Sequence, residues 1–287
     1  MNIAVLADIH GNHIALRRCL QEAFERGIEQ FFFLGDYLGE QAYPRKTMEI
    51  LHEMNEKYRC EFIRGNKEEY WLSYRDNGER GWKEKDSITG CLFYAYHQLT
   101  DRDFSFYETM PVAKRMEFDG LPALTICHGS PDQTKQQMLP DRPETLETME
   151  ACGTDLILCG HTHISCVIEH RGKRAVNVGS VGTSLDGDKK AHFLILHGAD
   201  GRWEEEFVAL DYDAEEAVRQ LYESGLYEKA PSWCKITEHI LKTGKGSHGK
   251  VLERAMELCS EETGKCIWPD IPERFMEQAV EELLGRR

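Results

Sequence analysis

The chain has 287 residues, with 35 Lys and Arg against 50 Asp and Glu and a formal net charge of −15. That length can bury a sizeable core, as one large domain or as a domain with an appendage. The acidic balance argues against a nucleic-acid surface, and no stretch approaches the roughly 20 apolar residues needed to cross a bilayer. The first residues lack a basic region and their apolar run ends at Asp8, so no secretory signal is expected. The ten cysteines are scattered without a CxxC pair, which reads as a reduced, cytoplasmic chain with mostly buried free thiols. Cys152, Cys159 and Cys166 recur at intervals of seven but fall in different predicted elements, so no cysteine metal site is expected there.

In chain order, Asn2–Ala7 is a short aliphatic run that predicts a buried strand delivering Asp8-Ile9-His10-Gly11-Asn12 into a turn. On extended backbone Asp8 and His10 leave from the same side, and a carboxylate beside an imidazole suits a divalent transition metal. Leu16, Cys19, Leu20, Ala23 and Phe24 mark one face of a helix that Gly27 ends. A second strand, Gln30–Leu34, leads to Gly35-Asp36. Pro44 fits the first turn of a helix running to about Tyr58, with Met48, Leu51 and Met54 inward. A third strand, Cys60–Ile63, ends in Arg64-Gly65-Asn66-Lys67-Glu68. Strand, helix, strand, helix, strand predicts parallel strands with all three polar turns on one sheet edge.

Residues 67–110 break this rhythm, are helical in places (about 86–99), and read as an inserted helical lid. Short strands then resume at 112–118 and 122–127, the second ending in His128-Gly129-Ser130-Pro131. A short helix (143–151) leads to the strand 155–158 and Gly160-His161-Thr162-His163. A hairpin over 164–178 turns near Arg171-Gly172-Lys173 and ends in Asn177-Val178-Gly179-Ser180. The strands 191–197 and 202–210 join through Gly198-Ala199-Asp200-Gly201, a hairpin signal. Beyond Asp211, helices are expected near 213–224, 232–243, 247–260 and 272–285. This tail carries no catalytic motif and reads as packed on the main domain, with a lid or a dimer contact left open.

Five turns thus carry metal-type side chains: Asp8 with His10, Asp36, Asn66, His128, and His161 with His163. Each alone has an ordinary reading as a turn or strand exit, and Asn66 after a glycine is often a left-handed turn residue. Their joint occurrence, always after a strand, is what accident explains badly. Carboxylate oxygens mixed with imidazole nitrogens suit Mn, Fe, Zn or Co better than Ca or Mg. Seven ligands exceed one transition ion but suit two ions sharing a carboxylate, roughly 3.5–4 Å apart, which can clamp a phosphorus centre.

The order Asp-x-His, Gly-Asp, Gly-Asn, a lone His and Gly-His-x-His resembles the calcineurin-like metallophosphoesterases, over about residues 1–210. Asp8-Ile9-His10-Gly11-Asn12, His128-Gly129-Ser130-Pro131 and Asn177-Val178-Gly179-Ser180-Val181-Gly182 look most like the bacterial phosphodiesterase branch. The resemblance implies an α/β fold, a four-layer α/β sandwich of two mixed sheets, here with a helical insertion and a C-terminal helical extension (211–287). It implies one metal on Asp8, His10, Asp36 and His163, and another on Asp36, Asn66, His128 and His161, with Asp36 as the bridge. Asp36, Asn66, Lys67 and His128 are the candidates for residues acting on the phosphate. Two departures stand out. The family's Gly-Asn-His, whose histidine is thought to contact phosphate and assist the leaving group, is Gly65-Asn66-Lys67 here, and Val178 stands where the family often has Pro. Lys67 is either a phosphate contact or a solvated lysine.

The resulting expectation is a hydrolase of phosphate esters, a phosphodiesterase ahead of a monoesterase, using a metal-bound hydroxide for in-line attack. Its cofactors would be two divalent transition metal ions, Mn ahead of Fe, Zn, Ni or Co, and its partner a small phosphate ester. Neither a nucleic-acid nor a membrane partner is expected, and oligomeric state is left open. The alternatives are a protein or nucleotide phosphomonoesterase, or a metal-binding scaffold weakened in catalysis.

Overall fold

The computed structural model describes residues 1–285. The chain runs β1 (Asn2–Leu6), α1 (His13–Glu25), β2 (Gln30–Phe33), α2 (Pro44–Lys57), β3 (Arg59–Phe62). It continues α3 (Asn66–Asp76), α4 (Gly90–Tyr96), α5 (Asp101–Thr109), β4 (Ala113–Phe118), β5 (Leu121–Cys127), α6 (Pro143–Ala151). Then come β6 (Leu156–Cys159), β7 (Cys166–His170), β8 (Lys173–Asn177), β9 (Ala191–Ala199) and β10 (Arg202–Leu210). It closes with α7 (Ala214–Glu223), α8 (Pro231–Thr243), α9 (His248–Thr263) and α10 (Glu273–Leu284).

Two mixed five-stranded sheets form, in the orders β10-β9-β1-β2-β3 and β4-β5-β6-β8-β7. In the first, β1, β2 and β3 are parallel and β9 returns antiparallel beside β1. In the second, β5, β6 and β8 are parallel, and hairpin strands β4 and β7 close the edges antiparallel. The alternation of side chains along each strand sorts the core into layers. Ala4, Leu6, Phe31, Phe33, Phe193 and Ile195 face outward onto Leu16, Cys19 and Leu51 of α1 and α2. Ile3, Val5, Phe32, Leu194 and Leu196 face inward and meet Leu124, Ile126, Leu156, Leu158 and Val176 of the second sheet. That sheet's far face, Ile157, Cys159 and Ala175, packs on Met138 and on Met149 of α6. The order is therefore helices, sheet, sheet, helix, and strands covered on both faces read as continuous apolar runs.

The stretch 67–110 holds three helices, where the sequence predicts helix only over about 86–99. The first starts within the Gly65-Asn66 motif itself. Its buried residues, Glu68, Trp71, Leu72 and Tyr74, lie on several sides, so no apolar stripe marks it. The nine-residue α5 is opened by a capping box in which Asp103 accepts from the Thr100 backbone N–H at 2.8 Å. Trp71 and Tyr107 are fully buried in the same cluster as Phe31 and Phe33. Much of this insertion is thus the core of the outer layer.

The four C-terminal helices share a separate cluster, including Trp233, Cys234, Ile236, Val251, Phe275 and Met276. Ile88 and Cys91 of the insertion complete it. Polar ties fasten the same contact: Glu273 accepts from Ser87 Oγ at 2.6 Å and from Ser232 Oγ at 2.7 Å. His13 of α1 meets Gln220 of α7 at 2.9 Å. All ten cysteines are free, six of them buried. Among the described residues no helix is long and apolar enough to cross a membrane.

Candidate metal centre

The parallel pairing of β1 with β2 continues past the ends of both strands. Asp8 N–H donates to Gly35 O at 3.1 Å, His10 N–H to Asp36 O at 3.0 Å, and Gly11 N–H to Tyr37 O at 2.9 Å. The two loops are thereby stitched edge to edge. Asp8 and His10 do not sit on extended backbone, as their spacing suggests. Both are left-handed, at φ 53° and 51°, as are Asp36 (53°), His161 (69°) and His163 (61°). A non-glycine residue held there costs roughly 1–3 kcal/mol and clusters at functional sites. Two glycines make the close approach possible. A Cβ on Gly65 would meet Asp36 N and Oδ1 at 2.3 Å, and one on Gly160 would meet Asp8 Oδ2 at 2.5 Å.

The seven predicted positions are brought together. Asp8, His10 and His163 form one group, and Asp36, His128 and His161 another, with ligand atoms in each within 4.8 Å. Asp36 faces both: Oδ2 lies 3.7 Å from His10 Nε2 and Oδ1 3.4 Å from His128 Nε2. Asn66 takes up no left-handed turn; it opens α3, with Oδ1 3.2 Å from His128 Nε2.

Second partners fix which nitrogen each ring presents. His163 Nδ1 donates to Thr183 O at 2.9 Å and His128 Nδ1 to Leu34 O at 2.7 Å, since carbonyls only accept. His10 Nδ1 faces the carboxylate Glu40 Oε2 at 2.5 Å. Nε2 is then the inward nitrogen of all three. His161 is the reverse: Nε2 donates to Lys135 O at 3.1 Å, leaving Nδ1 free. His10 Nε2 and His163 Nε2 stand 3.0 Å apart. As neutral rings so held, both present lone pairs, an arrangement that needs a proton or a cation between them. Asp8 Oδ1 is buried with no hydrogen-bond partner, another atom awaiting a cation. Burial disfavours charge on His10, yet Glu40, Asp8 and Asp36 outweigh it and raise its pKa to about 10. The donor set therefore fits divalent transition metals.

Lys67 points inward. Its ammonium lies 2.6 Å from Glu40 Oε1, with its side chain 13% exposed. Burial opposes the charge, but Glu40 and then Asp36 raise its pKa above the lysine range, so the lysine is a fixed cation. Glu68 is part of the framework: its carboxylate accepts from the N–H groups of Asp36 (3.0 Å), Tyr37 (3.0 Å) and Gly65 (2.8 Å). Burial, with Asp36 adding to it, pushes Glu68 up to about 7. Val178 donates its N–H to Cys159 O at 2.9 Å, a bond that proline could not make.

The cleft above these groups has a volume of about 270 Å³, and the C-terminal extension forms part of its wall. Trp233 and Ile240 of α8 and Ser247, His248 and Gly249 at the start of α9 line it together with His10, Asp36 and His163. Thr237 Oγ1 donates to Trp233 O at 3.0 Å, so its contact with His248 Nε2 at 2.9 Å is one it accepts. The His248 ring is tilted against Trp233, centroids 4.7 Å apart. Burial, with Glu40 opposing and Lys67, His10 and His163 adding to it, pushes His248 down to about 3, a neutral imidazole. The sequence assigns no role to Glu40, Glu68, Thr183 or His248. Glu68 stands within the Gly65-Asn66-Lys67-Glu68 motif without a function of its own, and Glu40, four residues after Asp36, is no specific signal.

The family model of the calcineurin-like phosphoesterase superfamily domain matches residues 1–201. An uncharacterized protein of Methanocaldococcus jannaschii is 26% identical over 252 residues, 80% of this chain and 94% of that one. Among solved structures, a hypothetical protein of Pyrococcus horikoshii superposes with a TM-score of 0.70 at 22% identity, covering 86% of this chain and 99% of its own. A metallophosphoesterase from Sphaerobacter thermophilus gives 0.66 at 22% identity, covering 85% of this chain and 99% of its own. These two likenesses concern the fold alone. With the family's motif residues gathered where strand ends of both sheets meet and its model spanning most of the chain, the protein belongs to the calcineurin-like phosphoesterase superfamily.

Proposed function

We propose that the centre holds two divalent transition ions, Mn ahead of the other candidates, and hydrolyses phosphodiesters. The observation that carries this is Asp36, whose two oxygens face separate donor groups, Oδ2 toward His10 and Oδ1 toward His128. Two such ions supply an activated water and neutralise charge on the phosphoryl oxygens. On this reading Asp8, His10, Asp36 and His163 hold one ion, and Asp36, Asn66, His128 and His161 the other.

The rest of the work falls to the chain. Glu40, Thr183 O and Leu34 O aim three imidazoles, and Glu68 fixes the loop that carries Asp36. Lys67 sits beside the donor set as a cation that touches a phosphate oxygen without giving up its proton. Charge supply is what favours a diester. A monoester dianion brings two negative charges, and the cleft offers Lys67 already paired with Glu40. The other basic residue of the motif, Arg64, is turned to Tyr107 O and Glu108 O at 3.1 and 3.2 Å.

The test is kcat/KM for an aryl phosphodiester and the matching monoester with Mn²⁺ supplied. The diester should be cleaved faster. A clear monoester preference would make the protein a phosphatase, and no hydrolysis of either, with both ions bound, would make it a scaffold.

A further inference from the structure

Beside the metal cleft lies a second, more enclosed cavity of about 140 Å³. Glu40, Asn66, Lys67 and Trp233 line both spaces, so the cavity opens where the Glu40–Lys67 pair meets the donor set. Its walls are mostly apolar: Ile88, Cys91 and Leu92 of the insertion and Trp233, Leu252 and Trp268 of the extension, with Tyr70 of α3 beside them. Ile88, Cys91, Leu92 and Trp233 are buried, while Trp268 is 42% exposed and forms the outer wall. The charged groups on its lining are Glu40 and Lys67, which neutralise one another at 2.6 Å.

We propose that this cavity seats the ester group of the substrate and selects a flat apolar ring, one six-membered ring in size. The reading of the centre as a phosphate site underlies this assignment and sets where the ring begins. Size comes first: an apolar cavity of about 150 Å³ accommodates benzene. Shape comes second, because Trp233 and Trp268 offer ring faces, and aromatic groups prefer stacked or edge contacts with such faces. Polarity comes third. Beyond the mouth Tyr70 supplies a single hydroxyl, too few hydrogen-bonding groups for a sugar or a purine, which would leave polar atoms unpaired at a cost. Phosphate at the mouth and ring in the cavity place the ester oxygen beside Lys67.

Binding of non-hydrolysable phosphonates to the Mn²⁺-loaded protein, measured by calorimetry, separates this assignment from catalysis. Phenylphosphonate should bind about tenfold or more tighter than methylphosphonate, the expected gain for burying a ring. Leu252→Trp fills the cavity and should erase that difference while leaving methylphosphonate affinity unchanged. Trp268→Ala, at an exposed position, removes the outer wall and should narrow the difference; it decides the matter if Leu252→Trp loses methylphosphonate binding as well. Equal affinities in the native protein, a preference that survives both substitutions, or no binding of either compound would overturn the assignment. A ring preference retained in a protein that hydrolyses no ester would leave the pocket standing and remove the hydrolase reading.

Discussion

The metal-facing side of the cleft is built from the first 210 residues, and part of its roof from residues 211–287. The first side is polar, buried and conformationally strained: five of the candidate ligand residues have left-handed backbone. That strain persists because neighbouring loops over-determine it, through the stitched backbone bonds of Asp8, His10 and Gly11 and the three bonds accepted by Glu68. The roof is ordinary helix, with Trp233, Ile240 and His248 held by packing and by one threonine. Chemistry demands particular atoms at fixed distances, whereas a wall demands only shape. Substitution of a candidate ligand on the first side should therefore abolish function, and substitution on the second side redirect it.

The largest effect should come from Asp36→Asn. It keeps the shape but weakens the carboxylate between the two donor groups. Metal content and turnover should fall together, by more than the roughly 10–100-fold seen for outer-shell changes. Two ions and full turnover in this variant would make the bridging assignment wrong.

Next is Trp71→Ala, which asks whether α3 belongs with the core or with a lid. Trp71 is fully buried and its Nε1 donates to Leu92 O at 3.0 Å. Urea unfolding should show a loss of about 3–5 kcal/mol. A change below about 1 kcal/mol, the size typical of sites away from the core, would return α3 to the lid.

Glu40→Gln should cost about 10–100-fold in metal affinity or turnover, since Glu40 both orients His10 and faces Lys67. Wild-type metal titration and rate would detach Glu40 from the centre.

The smallest of these effects is predicted for Lys67→Ala, about tenfold for loss of a charge-assisted bond. Diesters with aryl and alkyl leaving groups should slow alike. Selective slowing of the alkyl esters would mean that Lys67 donates a proton. Unchanged rates on both, with metals retained, would leave Lys67 as a partner of Glu40 alone.

The metal-facing side was legible in the sequence because ligands are restricted to few residue types and each follows a strand. Its geometry was less so. Asp8 and His10 approach one another through left-handed turns, and alternation along a strand has no way to register that. The orienting partners were hidden for a simpler reason: Leu34 O, Thr183 O and Lys135 O are backbone atoms, which no side-chain pattern encodes, and Glu40 reads as any surface acid. Both sheets could be anticipated from apolar runs and turn signals, while α3, buried on several sides, lacks the stripe that periodicity detects. The roof was the least legible. Trp233 and His248 reach the cleft through long-range packing of the extension, including that of α8 and α9 against Ile88 and Cys91, and no local spacing carries that information.

The claim most directly open to measurement is that two ions share one carboxylate. Protein supplied with Mn²⁺ should contain two ions per chain, and its electron paramagnetic resonance spectrum should be that of an exchange-coupled pair, lost in Asp36→Asn. One ion per chain, or two giving the spectrum of isolated Mn²⁺, would contradict it.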